Sequence, residues 1–459
     1  MAHSPRFEDS LGASGASSLD YQTNGEQWYG RQTFSVGDRD WGVRVSYGHR
    51  TGSDYQSGSG IDIPSSYNSR DLDLAFGWDF DEDRSVEVHY LRLDQTGVEL
   101  AGQAFDLDFL TTDGVEITLK DRSIEWADEL EVETWYNQTR LAGSAQTPAK
   151  RRTFPFLNVR QYVGFTNVET QSTGARLAAT WELDDDRRLS AGTDFRFVRQ
   201  ELDEYGSGRA GFSKFTNADS PIPRSFSANP GLFAEIKDES IEDLRLTAGV
   251  RADIVATEVT DTAARMRFLG NANPQSSLAG ILGTGDFDQT FGLWSMYLNA
   301  EYAFDEVWTL YAGAGHGQRA PSLTELYAAQ PFMFLLQNGL NTVTGDPRLN
   351  PERRWQIDLG TGYDDGRLHT RANVFHAWVL DAITFENIGV VPGPPNGQIE
   401  QVNLKYVNTD LATLVGFEAS ADYDVNHVGR TLQHYELRAR HRSLTQRALP
   451  DDSGLRSDS

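Results

Sequence analysis

The chain has 459 residues, a formal net charge of −26 and no cysteine. That acidity excludes nucleic acid as a partner, because phosphate binding needs clustered Lys and Arg, and the missing cysteines exclude a disulfide scaffold or a thiolate metal site. With 39% hydrophobic residues and a mean hydropathy of −0.50, no run reaches the ~20 apolar residues of a membrane-spanning helix, but a β-barrel shows lipid only every second residue and is not excluded.

The start, MAHSPRFEDSLGASGASS, lacks an apolar core behind a basic head, so no secretory signal is read. From Phe34 onward one element recurs: an acidic turn between an aromatic or apolar strand end and a fresh alternation. It stands at Phe34 (FSVGDRDWGVRV), Gly77 (GWDFDEDRSVEV), Trp181 (WELDDDRRLSAG), Glu235, Tyr302, Gly362 and Ala421, with a less acidic member at Leu119. Asp, Asn and Gly suit tight turns because they tolerate left-handed backbone and bond their own main chain. Eight turns imply about 16 strands, since each joins two.

The flanks alternate. Leu72, Leu74, Phe76 and Trp78 oppose Asp71, Asp73, Ala75 and Gly77; Trp294, Met296, Leu298, Ala300 and Tyr302 oppose Ser295, Tyr297, Asn299 and Glu301. Each segment therefore has one apolar and one polar face. Runs of ~10 residues fit tilted membrane-crossing strands better than soluble ones. Trp78, Trp181, Tyr302, Phe304, Trp308, Tyr363 and Tyr423 fall at strand ends beside the turns, where an interfacial aromatic girdle belongs. Long polar stretches over 47–69, 94–112, 138–173, 201–229, 257–290, 316–352 and 381–407 read as loops on the opposite rim. The expected fold is all-β, a transmembrane antiparallel up-and-down barrel.

The stretch from Trp308 to Tyr363 is strand, long loop, strand. Its GQRAPSLTELYA (Gly317 to Ala328) and GDPRLNPERRWQIDLG (Gly345 to Gly360) together resemble the barrel signature of TonB-dependent outer-membrane receptors, with Asp346-Pro347 where that family has Asn-Pro. The resemblance implies a barrel of 22 strands around a plug, set in lipid and lipopolysaccharide of a Gram-negative outer membrane. It also implies uptake of a metal complex, a ferric siderophore or alternatively copper or cobalamin, with no bond change and no permanently bound cofactor; the metal chelate is cargo. Energy would arrive from the TonB–ExbB–ExbD complex through the plug. No plug sequence or TonB box precedes the first strand, and the end, RALPDDSGLRSDS, is polar. The chain is thus expected to be a piece of such a receptor: residues 1–30 lead into the barrel and are partly disordered, 31–445 form an incomplete barrel, and 446–459 are a polar tail. The alternatives are a passive porin-like barrel, a barrel enzyme and a soluble acidic β-protein.

Two loops carry candidate ligand contacts. AKRRTFPFLNVRQYVGFTNVET, from Ala149, gathers Lys150, Arg151, Arg152 and Arg160 among Phe154, Phe156, Tyr162 and Phe165. Arginine beside aromatic rings suits an anionic planar ligand; the other reading is a loop that neutralises lipopolysaccharide phosphates or packs on its neighbours. In the loop after Trp308, Arg319, Tyr327, Phe332, Met333, Phe334 and Asn338 have the same ligand-facing possibility, while Arg319 and Glu325 match the family motif as architectural residues. Residues 68–113 and 151–170 resemble the copper-acquiring branch of the family; copper capture is expected to use Met, Cys or His, and the chain has no Cys and, beyond the start, only Met266, Met296 and Met333. The acidic runs at Asp81 and Asp184 are read as turns rather than metal sites, and Gly313, Gly315 and Gly317 as a strand that needs small residues.

Overall fold

The computed structural model describes residues 4–7, 10–103, 105–154, 156–159, 161–210, 213–262, 277–331, 340–391, 401–423, 426–427, 430–431 and 435–447. One 18-stranded sheet dominates. Its first strands are Gly12–Gln22, Gln27–Gly37, Trp41–Gly52, Tyr67–Asp79, Arg84–Val98, Asp106–Asp121 and Glu129–Ser144. Val163–Asp184, Arg187–Ala210, Ser213–Ile241, Leu244–Val259, Gln289–Ala303 and Trp308–Arg319 follow, then Glu352–Asp364, Leu368–Val391, Gln401–Tyr423 and Tyr435–Arg447. Each pairs antiparallel with the one before it, from the first hairpin to the last. The remaining strand, Leu340–Thr344, runs parallel to Gln401–Tyr423. This is an up-and-down barrel wall, one strand longer in its meander than the eight turns imply. The uncounted strand is Gly12–Gln22, inside the segment expected to lead into the barrel. It closes on its neighbour at Thr23–Glu26, where Gly25 at φ 82 takes the left-handed backbone, so no acidic marker announces the turn.

The acidic turns share one local device. Asp38, Asp81, Asp305 and Asp365 each turn a carboxylate back onto the N–H groups two and three residues on, at 2.7–3.2 Å. Asp121 and Asp238 bond the second residue only, at 2.8 and 2.9 Å. These bonds satisfy backbone donors that the hairpin ends leave open, which is why Asp recurs there.

The two faces separate as the alternation requires. The apolar face is bare: Leu298 is 52% exposed, Val250 60% and Leu359 55%. It is bounded at the turn end by Trp41 opposite Trp78, by Trp126 with rings 6.1 Å from Trp181, and by Trp308 with rings 5.0 Å from Tyr363. At the loop end stands a second aromatic row, in which the His316 ring lies 4.1 Å from Trp294 and 4.2 Å from Trp355, while His376 stacks on Trp378 at 4.1 Å. His316 is thus part of the wall's outer face. Trp308 and His316 share a strand; eight residues at ~3.3 Å each, tilted ~40°, separate the rows by ~20 Å of height, close to the ~25 Å apolar band of a membrane barrel.

The opposite face is polar and tightly paired. Arg44 and His89 both hold Asp73, each at 2.7 Å, and Arg251 holds Asp194 at 2.5 Å and Asp253 at 2.6 Å. Near the turn end, residues 4–7 lie against this face, with Arg6 gripping Asp79 at 2.8 Å and Ser4 bonding Glu87 at 2.8 Å. Gly313 faces the same way, and a Cβ there would meet Asn299 Oδ1 at 2.8 Å, which supports the small-residue reading of that strand.

Two expected loops are strand in all of their described residues. Residues 201–210 and 213–229 continue the hairpin of Arg187–Ala210 and Ser213–Ile241, and 381–391 and 401–407 continue that of Leu368–Val391 and Gln401–Tyr423. Beyond the apolar band a strand needs no greasy face, so its sequence turns polar without leaving the sheet. Pro221 and Pro223 fit because the register shifts around Leu202, leaving both prolines out of the ladder.

Candidate functional site

The loop-end candidates sit in two compact cores. The first joins the described residues of 99–110 to those of 145–162. Thr147 caps the helix Pro148–Thr153, with Pro148 in its first turn, and Lys150 and Ala149 face inward from it. Phe105, Leu107, Leu141, Ala145, Leu157 and Tyr162 close around them. Lys150 is 1% exposed; its ammonium meets Asp106 at 3.0 Å and donates to the Leu100 carbonyl. Asp106 also accepts from the Leu100 N–H at 2.9 Å and from the Thr147 hydroxyl.

Of the candidates here, Arg151 is spent on its own loop, donating to the Tyr162 carbonyl at 2.9 Å and to Asn158 Oδ1 at 3.2 Å. Tyr162 is buried, and burial together with Glu204 pushes its hydroxyl above the ordinary phenol range. Arg152 remains exposed at the helix end. Arg160 lies outside the described residues.

The second core joins the described residues of 260–288 and of 320–351 around Val259, Leu278, Leu282, Leu323, Leu326, Tyr327, Ala329 and Leu349. The helix Leu323–Tyr327 opens with a capping box between Ser322 and Glu325. Arg319, at the end of its strand, binds Glu325 at 2.8 Å and Glu352 at 2.7 Å, so one guanidinium ties strand, helix and returning strand together. Burial pushes the Glu325 carboxyl up, but Arg319 and the Ser322 N–H pull it further down, and it sits below the usual carboxylate range. Replacing Arg319 with Ala is expected to loosen this helix by about 1–2 kcal/mol, discounted for the solvent around the guanidinium. Amide exchange at residues 323–327 should then rise about tenfold.

Tyr327 is fully buried; its hydroxyl meets Thr257 at 2.7 Å and donates to the Phe287 carbonyl at 2.5 Å, and burial pushes its pKa up to about 12. It is a keystone of the loop core and does not face an open site. Phe332, Met333, Phe334 and Asn338 lie outside the described residues.

Asp346, which stands in the place of the family's Asn, binds Arg348 and Lys405, each at 2.8 Å. Although burial opposes ionisation, these two cations hold its pKa down to about 2, below the ordinary 3.8. A carboxyl depressed on folding stabilises fully above its unfolded pKa and loses that contribution as pH falls through the folded value. The Gly345–Asn350 turn should therefore hold firm above pH ~4 and loosen between ~4 and ~2. Asp346→Asn should abolish that pH dependence, as followed by amide exchange.

The inner wall carries polar groups absent from the sequence-derived candidates. Arg50 lies 4.6 Å over the Tyr29 ring, Arg176 5.0 Å over Phe233 and Arg371 4.7 Å over Tyr311. The only signal in the sequence was parity: each cation and its ring fall on the polar face of its strand.

Residues 3–456 match the family model of the TonB-dependent receptor-like β-barrel. The chain is 24% identical over 403 residues to the rhizobactin receptor of Rhizobium meliloti (strain 1021), covering 80% of this chain and 53% of that protein. Among solved structures, the copper transporter OprC superposes with a TM-score of 0.74 at 22% identity, over 98% of this chain and 66% of that one. The FrpB iron transporter from Neisseria meningitidis (F5-1 variant) gives 0.63 at 13% identity, over 96% and 64%. The chain thus spans about half the length of the curated relative. With signature, bare apolar face, aromatic rows and family match in agreement, the chain belongs to the TonB-dependent receptor-like β-barrel family.

Proposed function

We propose that this chain is barrel wall of an outer-membrane receptor that takes up a metal chelate in a Gram-negative cell, driven by TonB–ExbB–ExbD and surrounded by lipid and lipopolysaccharide. The observation that carries the reading is the ~20 Å apolar face held between two aromatic rows, with rigid loop cores at one end of it. Such cores hold the rim in shape for a cargo, which fits capture and passage rather than bond-making chemistry.

The cargo reading favours a hard, oxygen-ligated metal over copper. The chain has no Cys and four Met, and Met296 stands on the outer apolar face at 41% exposure. His316 and His376 stand on that face as well. Met266 and Met333 lie outside the described residues. Calorimetric titration of the detergent-solubilised chain with ferric chelates and with cupric ion tests this. Saturable binding of a ferric chelate is the expected result. Saturable binding of cupric ion alone would move the cargo to copper, and an open ionic conductance in planar bilayers with no chelate binding would make the protein a passive pore.

A further inference from the structure

At the turn rim the polar face carries a seat for a short stretch of chain. Gly42 and Gly77 are register partners on neighbouring strands, and Gly77 in turn faces Glu87. Ser4 and Pro5 lie directly on the two glycines. A Cβ at Gly42 would overlap the Pro5 carbonyl, and one at Gly77 would overlap the Ser4 hydroxyl and the Glu87 carboxylate. The floor is free of side chains where the segment crosses it, the usual reason for glycine where one backbone approaches another.

Polar contacts fasten the segment to that floor. The Arg6 guanidinium grips Asp79 as a fork, with Nε at 2.8 Å and Nη2 at 3.0 Å, and its Nη1 donates to the Ser4 hydroxyl at 2.6 Å. That hydroxyl donates onward to Glu87 at 2.8 Å. The Phe7 N–H donates to the Asp38 carbonyl at 3.0 Å, and the Phe7 ring lies against Gly12, where the first strand starts. A forked guanidinium–carboxylate pair fixes direction as well as charge.

The position of this fastening has a mechanical consequence. Gly12–Gln22 pairs with Gln27–Gly37 from Gly12 opposite Gly37 onward. Tension on its Gly12 end would open that ladder one pair at a time. Held at Ser4–Phe7, the same tension falls on contacts to Trp41–Gly52, Tyr67–Asp79 and Arg84–Val98, which share it at once.

We propose that Gly42, Gly77, Asp79 and Glu87 form a peptide seat with Ser4–Phe7 as its occupant, and that this arginine latch bears the load when the chain ahead of the first strand is pulled from the turn side. The seat stands on the contacts above; the load rests on the TonB-driven receptor reading.

The test uses the full chain in phospholipid vesicles, with Ala2→Cys as the attachment point because no native cysteine competes for it. A constant force on that residue measures the lifetime of the latch before the first strand peels, and native-state exchange follows the Phe7 amide without force. Arg6→Gln is expected to shorten the lifetime about tenfold or more, the loss of a charge-assisted contact. It should also speed Phe7 exchange about tenfold, with exchange over Trp41–Gly52 unchanged. Arg6→Lys, which keeps the charge and loses the fork, should fall between the two. Unchanged Phe7 exchange in Arg6→Gln would overturn the seat, and faster exchange with an unchanged lifetime would overturn the load-bearing role. Neither readout involves a chelate, so either failure leaves the receptor reading standing, and a failure of chelate binding leaves the seat standing.

Discussion

Lys150→Met is expected to unlock the loop core over residues 145–162 while the barrel wall stays folded. The substitution keeps the apolar stem and removes the charge, leaving Asp106 buried without its cation. Breaking a buried ion pair from one side costs about 3–5 kcal/mol, because the remaining charge keeps its desolvation penalty and loses its partner. The Leu100 N–H and the Thr147 hydroxyl still reach Asp106, which places the expected loss at the lower end of that range. Amide exchange through Pro148–Thr153 should rise by about a hundredfold or more, with exchange in the wall strands unchanged. Lys150→Met combined with Asp106→Leu should recover most of the loss, since an apolar replacement of both partners is often neutral. Wild-type exchange in the single variant would show that the pair does not hold the loop.

Leu298→Arg is the second large effect. Leu298 lies midway along its strand between Trp294 at the loop-end row and Tyr302 at the turn-end row, on the bare face. At the midplane of a bilayer an outward arginine costs about 2–4 kcal/mol, falling toward ~0–1 at the interfaces. Denaturant-driven unfolding from phospholipid vesicles should report that loss. Asn299→Arg, one residue on and facing the polar interior, should change stability by less than ~1 kcal/mol. Equal effects at both positions would contradict the assignment of faces.

The wall was legible because two local rules coincide in it. Period-two alternation, as in Leu244 to Ile254, marks a strand with one apolar face, and an Asp that bonds its own backbone marks the turn that follows. Both act over a few residues, so a linear reading finds them. The strand extensions were not legible, because residues 201–208 and 220–229 carry polar residues on both faces and two prolines that a register shift accommodates. The first hairpin escaped for a related reason: its turn relies on the backbone freedom of Gly25 rather than on a carboxylate.

The candidate site was legible only as a region. Tyr327 and Arg319 were found in the right loop, but Thr257 and Phe287, far off in sequence, make Tyr327 a packing residue. Asp106 does the same for Lys150. A basic, aromatic loop has the same composition whether its side chains reach outward or fasten the loop to itself. The inner-wall pairs went unseen for the opposite reason, since each combines residues from different strands that become neighbours only when the sheet is paired.

The absence of native cysteine allows the central claim, that this sheet crosses a membrane with its apolar face outward, to be tested one position at a time. Single cysteines placed at 294 through 304 carry a nitroxide in the full chain reconstituted in vesicles, and the accessibility of each to oxygen and to a water-soluble nickel chelate is measured. The account predicts strict alternation, with oxygen dominant at the even positions and greatest near 298, and nickel chelate dominant at the odd ones. Access of the nickel chelate at both parities throughout would contradict it.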